Sequence, residues 1–289
     1  GKPVLGSIAD WADRHRPYWG HYEYFIADKP AREQQEPHGH AVRAMYFYCG
    51  MADVAAETGD KELYDACCRI WNQMEANNIY LNGSVGQDDF WEGIGKAYDL
   101  PPDYAYSETC ASVGVVRFAQ RMLKMDPASH YADIAEQALY NTILTGTALD
   151  GEHYFYCNPL EVWPYSLYRY NKRNIEATRY SWTDVACCPP NIARMLGEVA
   201  RTAYLHSGNN IWANQFMTCE SEFVLDGGTV ALSQECDRYP WEGNIRFTVK
   251  KGGTFTLRIR IPGWCKDSGA VPVLKVNGEE VRIEEEKGY

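Results

Sequence analysis

The chain has ten cysteines, and two pairs of them are adjacent, Cys67-Cys68 and Cys187-Cys188. The second pair opens the run Cys187-Cys188-Pro189-Pro190-Asn191. Proline favours the first helical position and keeps the residue before it out of the helical region. Both thiols are therefore expected at a helix N-terminus, where the helix dipole favours a thiolate. A second group, Ser107-Glu108-Thr109-Cys110-Ala111, also stands at an expected helix start. Two residues apart in a regular helix, Glu108 and Cys110 would diverge; at a helix entrance they can converge. Together the segments offer one carboxylate and three thiols. That donor set suits Zn²⁺ and does not suit Mg²⁺ or Ca²⁺. The paired C-x-x-C knuckles of many zinc sites are absent, and two free thiols buried under a helix would read the same way.

Candidate acids and bases lie elsewhere. Asp88, Asp89 and Glu92 surround Phe90-Trp91. A carboxylate beside a tryptophan in a water-poor pocket can keep its proton near neutral pH and act as a general acid. A solvated acidic loop has the same composition. His38 and His40, in Pro37-His38-Gly39-His40, precede a helix and suit ligand binding, capping or a place in the core. Asn82-Gly83-Ser84 matches a glycosylation acceptor but carries little weight, because the first residues lack the blocks of a signal peptide. No phosphate-binding loop, nucleophile elbow or H-E-x-x-H zinc motif occurs.

Helices must position these groups. Val42, Met45, Cys49 and Ala52 recur at helical spacing, and Gly59-Asp60 interrupts them. Leu63, Ala66, Cys67, Ile70, Trp71 and Met74 form a second stripe, so the two segments read as a helical hairpin. Cys67 falls on the apolar stripe and Cys68 off it. A third helix is expected from about Glu108, a fourth around residues 131–142 ending by Gly146, and a fifth from Ile192 to Ala203. Long irregular stretches, residues 77–107 and 151–190, connect them, and loops of that length are usually functional. After His206 the period changes to two. Residues 254–261 alternate strictly, and Asn277-Gly278 between two apolar runs marks a hairpin. The second region is therefore expected to be antiparallel β.

Composition limits the partners. The 289 residues are 45% hydrophobic and 23% charged, as in a globular protein. A formal net charge of −11 opposes binding to nucleic acid or an anionic membrane. The 21 tyrosines and 9 tryptophans suit an aromatic core, or stacking faces for a neutral ligand such as a sugar. Uneven cysteine spacing in a chain of this size favours a reducing compartment, here the cytoplasm.

Several motifs then occur in order: Glu-Pro-His-Gly-His-Ala-Val-Arg-Ala-Met (36–45), Gly-Met-Ala-Asp-Val-Ala (50–55), Glu-Gly-Ile-Gly-Lys-Ala-Tyr-Asp-Leu-Pro (92–101), Ser-Glu-Thr-Cys-Ala (107–111), Tyr-Asn-Thr (140–142), Ala-Cys-Cys-Pro-Pro-Asn (186–191), Tyr-Pro-Trp-Glu-Gly (239–243) and Arg-Ile-Pro-Gly-Trp-Cys (260–265). Through them the chain resembles the β-L-arabinofuranosidases of glycoside hydrolase family 127, with family 146 close behind. The resemblance implies an α plus β multidomain chain: an (α/α)₆ barrel catalytic domain over residues 1–205, then an antiparallel β-sandwich over 206–289. Both are expected to be partial, because a twelve-helix barrel needs well over ~200 residues and five strong helices precede residue 205.

The resemblance also implies Zn²⁺ held by Glu108, Cys110, Cys187 and Cys188. It makes Cys187 the nucleophile and Glu92 the acid/base, places His40 and Tyr156 near the sugar and has Glu136 lining the site. The implied substrate is a small molecule or oligosaccharide containing L-arabinofuranose, hydrolysed with retention by a bacterial enzyme; a homodimer is allowed. Many members carry a further cysteine where this chain has Val185. Two other readings stay open: the same scaffold acting on a different sugar, and a non-catalytic sugar-binding protein with structural zinc.

Overall fold

The computed structural model describes residues 22–87, 92–103, 105–164, 175–183 and 186–289. By its contacts the chain forms two compact units, residues 1–121 with 137–192, and residues 122–136 with 193–289.

The first unit is helical. Helix α1 (Ala41–Thr58) starts at His40, whose side chain accepts from the Arg43 amide. It stops at Gly59, which takes the left-handed conformation (φ 69°) that a helix C-terminus requires and glycine adopts without a Cβ clash. Helix α2 (Lys61–Asn77) follows at once, because Asp60 caps it by accepting from Leu63 N. Leu63, Ala66, Cys67, Ile70, Trp71 and Met74 are all buried, as the stripe requires, and Cys68 is only partly covered. Helix α3 spans Thr109–Met125, and α4 (Ser129–Ala138) lies mostly in the second unit. A π-helical segment, Leu139–Leu144, continues α4. Gly114 on α3 allows a close approach to α1, since a Cβ there would stand 2.5 Å from the Met45 Cβ. Helix α5 covers Cys188–Glu198. Strands β1 (Gly39–His40) and β2 (Gly93–Ile94) pair antiparallel, Gly39 with Ile94 and His40 with Gly93.

The described parts of the expected loops have a few anchors. The Asn82-Gly83-Ser84 turn is held internally: the Asn82 amide donates to Asn158 O, and its Oδ1 accepts from Ser84 Oγ. Asp88, Asp89, Phe90, Trp91 and Val185 lie outside the described residues.

The second unit carries two three-stranded sheets. One orders β3 (Tyr204–Ser207), β4 (Asn210–Ala213) and β8 (Thr256–Ile259); the other orders β5 (Cys219–Leu225), β6 (Gly228–Glu235) and β7 (Arg246–Lys251). Ile211, Phe223, Leu225, Val230 and Leu232 form their shared core, with Leu257 and Phe255 packed on it. Residues 256–259 of the alternating run at 254–261 form a strand, yet its pairing differs from the antiparallel expectation. β8 runs parallel to β4, Ile211 opposite Leu257. After β7 the chain passes Gly252-Gly253 and joins the other sheet instead of folding back on its neighbour, and a crossing strand can enter parallel. A short helix α6 (Gly263–Asp267) follows. The hairpin of β9 (Leu274–Val276) and β10 (Glu279–Val281) turns at Asn277 (φ 54°) and Gly278 (φ 90°), the two positive values a tight two-residue hairpin needs.

Candidate active site and metal centre

Three helix starts supply the site. At α3, Thr109 N donates to Tyr156 O (2.9 Å), and Glu108 pairs with Cys157 as an isolated antiparallel bridge. The 156–157 segment is thereby laid along the entrance of α3. Just before it, Ser107 sits in the left-handed region (φ 43°). Its amide donates to Gly86 O, and its carbonyl accepts from Asn158 N and Asn158 Nδ2. At α5, Cys188 is the first helical residue and Cys187 immediately precedes it. Asn191 of the same motif accepts from the Tyr46 hydroxyl at 3.1 Å, tying the start of α5 to α1.

These constraints bring Glu108, Cys110, Cys187 and Cys188 together, one ligand atom from each within 4.8 Å of all the others. Cys110 Sγ and Cys188 Sγ are 3.4 Å apart, and Cys187 Sγ and Cys188 Sγ 3.9 Å. Cys187 Sγ lies 3.3 Å from Glu108 Oε1. Thiolates at ~2.3 Å from one tetrahedral ion would stand about 3.8 Å from each other, so the spacing fits a metal. The donor chemistry fits as well. Glu108 is only 2% exposed, and its Oε2 is buried with no hydrogen-bond partner among the described residues. A buried orphan oxygen of this kind is costly unless a cation meets it. All ten cysteines are free thiols, and these three with Glu108 can hold a metal ion.

Charge is divided unevenly across the cluster. Burial pushes Glu108 well above the carboxylate range, and the Cys187 and Glu92 charges raise it further. Cys188 is also raised, chiefly by burial, and Cys110 by its hydrogen bond to Cys187. Cys187 moves the opposite way. Hydrogen bonds from Cys110 and Cys188, with help from Tyr156 and Glu108, hold it far below a normal thiol against the effect of burial.

Glu92 stands beside this cluster in a different setting. Its backbone is left-handed (φ 52°), and its carbonyl accepts from Ala41 N, the first residue of α1, at 2.9 Å. The Tyr106 hydroxyl donates to Oε1 at 3.0 Å, and His40 Nε2 is 3.2 Å from Oε2. His40 Nδ1 accepts the Arg43 amide at 3.4 Å, so a neutral ring carries its proton on Nε2, facing Glu92. His40 is therefore both cap and carboxylate partner. His38 is engaged elsewhere, its Nε2 paired with Asp28 at 2.8 Å and its Nδ1 in contact with Glu36 O. Tyr156 lies 3.4 Å by its hydroxyl from Cys187 Sγ and packs edge-to-face on Tyr106, ring centres 6.1 Å apart. Tyr106 was not among the residues expected from sequence; its position directly before Ser107-Glu108 is the only local signal.

Glu136 belongs to the second unit, where its carboxylate is fully engaged. Arg260 forms an ion pair with it, Tyr239 OH donates at 2.7 Å, and Trp264 Nε1 donates at 3.1 Å.

Residues 8–201 match the family model described as the GH127 β-L-arabinofuranosidase catalytic domain, and residues 210–289 match the GH127 middle domain. The chain belongs to glycoside hydrolase family 127. It is 37% identical to the non-reducing end β-L-arabinofuranosidase of Bifidobacterium longum subsp. longum, over 92% of this chain and 40% of that protein. It superimposes on the crystal structure of a GH127 β-L-arabinofuranosidase from Geobacillus stearothermophilus T6 with a TM-score of 0.89 and 39% identity, over 100% of this chain and 46% of that one. A second solved GH127 β-arabinofuranosidase matches with a TM-score of 0.84 and 34% identity, covering 98% and 45%. The chain thus spans less than half the length of these family 127 relatives.

Proposed function

We propose that the protein carrying this chain is a retaining glycoside hydrolase that releases L-arabinose from β-L-arabinofuranosides. The observation that carries the reading is the pairing of a stabilised Cys187 thiolate with a separately held carboxylate, Glu92, linked through Tyr156 and Tyr106. Retaining hydrolysis needs a nucleophile on one side of the anomeric carbon and an acid/base on the other.

In this mechanism Cys187 sulfur attacks the anomeric carbon while the bond to the leaving oxygen breaks. Glu92 gives that oxygen its proton. Water then enters; Glu92 takes a proton from it, the new C–O bond forms, and the C–S bond breaks to restore the thiolate. Tyr156 donates to the sulfur while it is anionic, and His40 holds the second oxygen of Glu92. Glu108, Cys110, Cys187 and Cys188 would hold Zn²⁺, which when bound keeps thiolates deprotonated near neutral pH. Glu136, tied to Arg260, Tyr239 and Trp264, is assigned a contact with the sugar by resemblance alone.

Residues 1–205 are read as part of an (α/α)₆ barrel and 206–289 as a β-sandwich domain; the helical hairpin and the two stacked sheets support this. The substrate is a neutral arabinofuranoside, in keeping with the chain's negative charge. A purely structural metal site would need no acid beside it, and Glu92 weighs against that alternative. The test is Cys187→Ser in the full-length protein, assayed on an aryl β-L-arabinofuranoside with circular dichroism as the fold control. The expected result is a loss of at least about a thousand-fold; activity near wild type would remove the nucleophile assignment.

A further inference from the structure

Glu92 has a firmly placed backbone and a carboxylate at the end of a flexible stem. Its carbonyl is fixed to the first amide of α1, at Ala41, and its φ of 52° leaves the chain little freedom there. Two donors meet its carboxylate oxygens. His40 takes Oε2 and the Tyr106 hydroxyl takes Oε1.

Of these two donors Tyr106 is the better anchored. It is fully buried. The residue after it is clamped on both sides, its amide on Gly86 O and its carbonyl on two donors of Asn158. The Tyr106 ring meets the edge of Tyr156, and Tyr156 reaches Cys187 Sγ. One phenol therefore touches the proposed acid/base through its hydroxyl and backs the proposed nucleophile's partner through its ring.

We infer that Tyr106 is a positioning residue for the reaction: its hydroxyl aims the Glu92 carboxyl at the leaving-group oxygen, and its ring sets the separation between Glu92 and Cys187. The inference rests on the roles proposed above for Glu92 and Cys187. It says where the precision of the acid step comes from. A general acid must meet the oxygen it protonates within hydrogen-bond reach, so a carboxyl free to swing gives up part of the roughly 10²–10⁴-fold that such a group supplies. That loss is felt by leaving groups that need the proton and hardly at all by those that depart as stable anions.

Tyr106→Phe keeps the ring contact with Tyr156 and removes only the hydroxyl. The full-length protein is assayed on a series of β-L-arabinofuranosides whose leaving groups run from 4-nitrophenol to simple alcohols, with a thermal melt to check folding. The variant should lose roughly 10- to 100-fold in kcat/KM on the alcohol leaving groups and less than about threefold on 4-nitrophenol, with KM changed little. Equal losses across the series would overturn the proposal, because a merely structural role has no reason to follow leaving-group acidity.

A second variant closes the argument. Made on Glu92→Gln, the same Tyr106→Phe change should cost nothing further on the alcohol substrates, as for two residues acting through one group. A full additional loss there would show that Tyr106 does not act through Glu92. If Glu92→Gln alone leaves the alcohol substrates unaffected, it is the acid/base assignment that fails, and the two failures are told apart.

Discussion

The helical unit and the strand-rich unit each bury a cluster of ionisable groups, and they balance the charge differently. In the strand-rich unit Arg260 is buried and paired with both Asp133 and Glu136. Its Nε donates to Asn214 O, and Glu136 receives two further donors from Tyr239 and Trp264. Acid and base are both written into the chain, and the network is closed. In the helical unit the cluster of Glu108, Cys110, Cys187 and Cys188 includes no cationic side chain, and Glu108 Oε2 has no hydrogen-bond partner among the described residues. Among the described residues the chain supplies a complete counter-charge for Glu136 and none for Glu108. The first cluster is balanced within the chain, and the second could hold a metal ion.

The contrast can be broken in four places. Cys187→Ser should have the largest effect, at least about a thousand-fold in kcat/KM, or roughly 4 kcal/mol of transition-state stabilisation. Stripping metal with a chelator under reducing conditions should come next. It leaves Glu108 buried and unpaired, and a site filled at about a thousand times its dissociation constant contributes about 4 kcal/mol. Hydrogen exchange should then accelerate around the starts of α3 and α5 and stay unchanged in β5 and β6. Arg260→Met should invert that pattern, costing about 3 kcal/mol in a denaturant melt, because two carboxylates lose their buried cation. Faster exchange should appear near Asn214 and Glu136. If both treatments loosen the same amides, the clusters are not the separate devices described here. Asp60→Ala gives the smallest effect, about 1 kcal/mol from the lost cap of α2, and serves as a yardstick for an ordinary polar contact remote from either cluster. Its exposed partner Arg32 adds little to this.

Much of the frame was legible because it rests on local rules. The stripe from Leu63 to Met74, the stop at Gly59 and the Asn277-Gly278 turn are each decided within a few residues, and the structure has them where the pattern puts them. The Cys-Cys-Pro-Pro run likewise announces a helix start on its own. What the residues alone could not reveal depends on distant partners. Strand alternation at 256–259 says which face is buried but not that β8 would lie parallel to β4. The single carboxylate of Glu136 carries no sign that an arginine 124 residues away will take it. Tyr106 is one tyrosine among 21; only the fold sets its hydroxyl on Glu92 and its ring on Tyr156. Convergence of Glu108 with Cys187, 79 positions on, was open at the level of spacing and became specific only through the combination of motifs.

The central claim is that the helical unit's cluster is completed by a metal bound through sulfur. Zinc-edge X-ray absorption on the reduced full-length protein, with metal content measured on the same sample, tests it most directly. The account predicts one zinc per chain, with about three sulfur scatterers at ~2.3 Å and one lighter ligand, and loss of that signal in Cys110→Ala. An active protein without metal, or zinc surrounded only by nitrogen and oxygen, would contradict it.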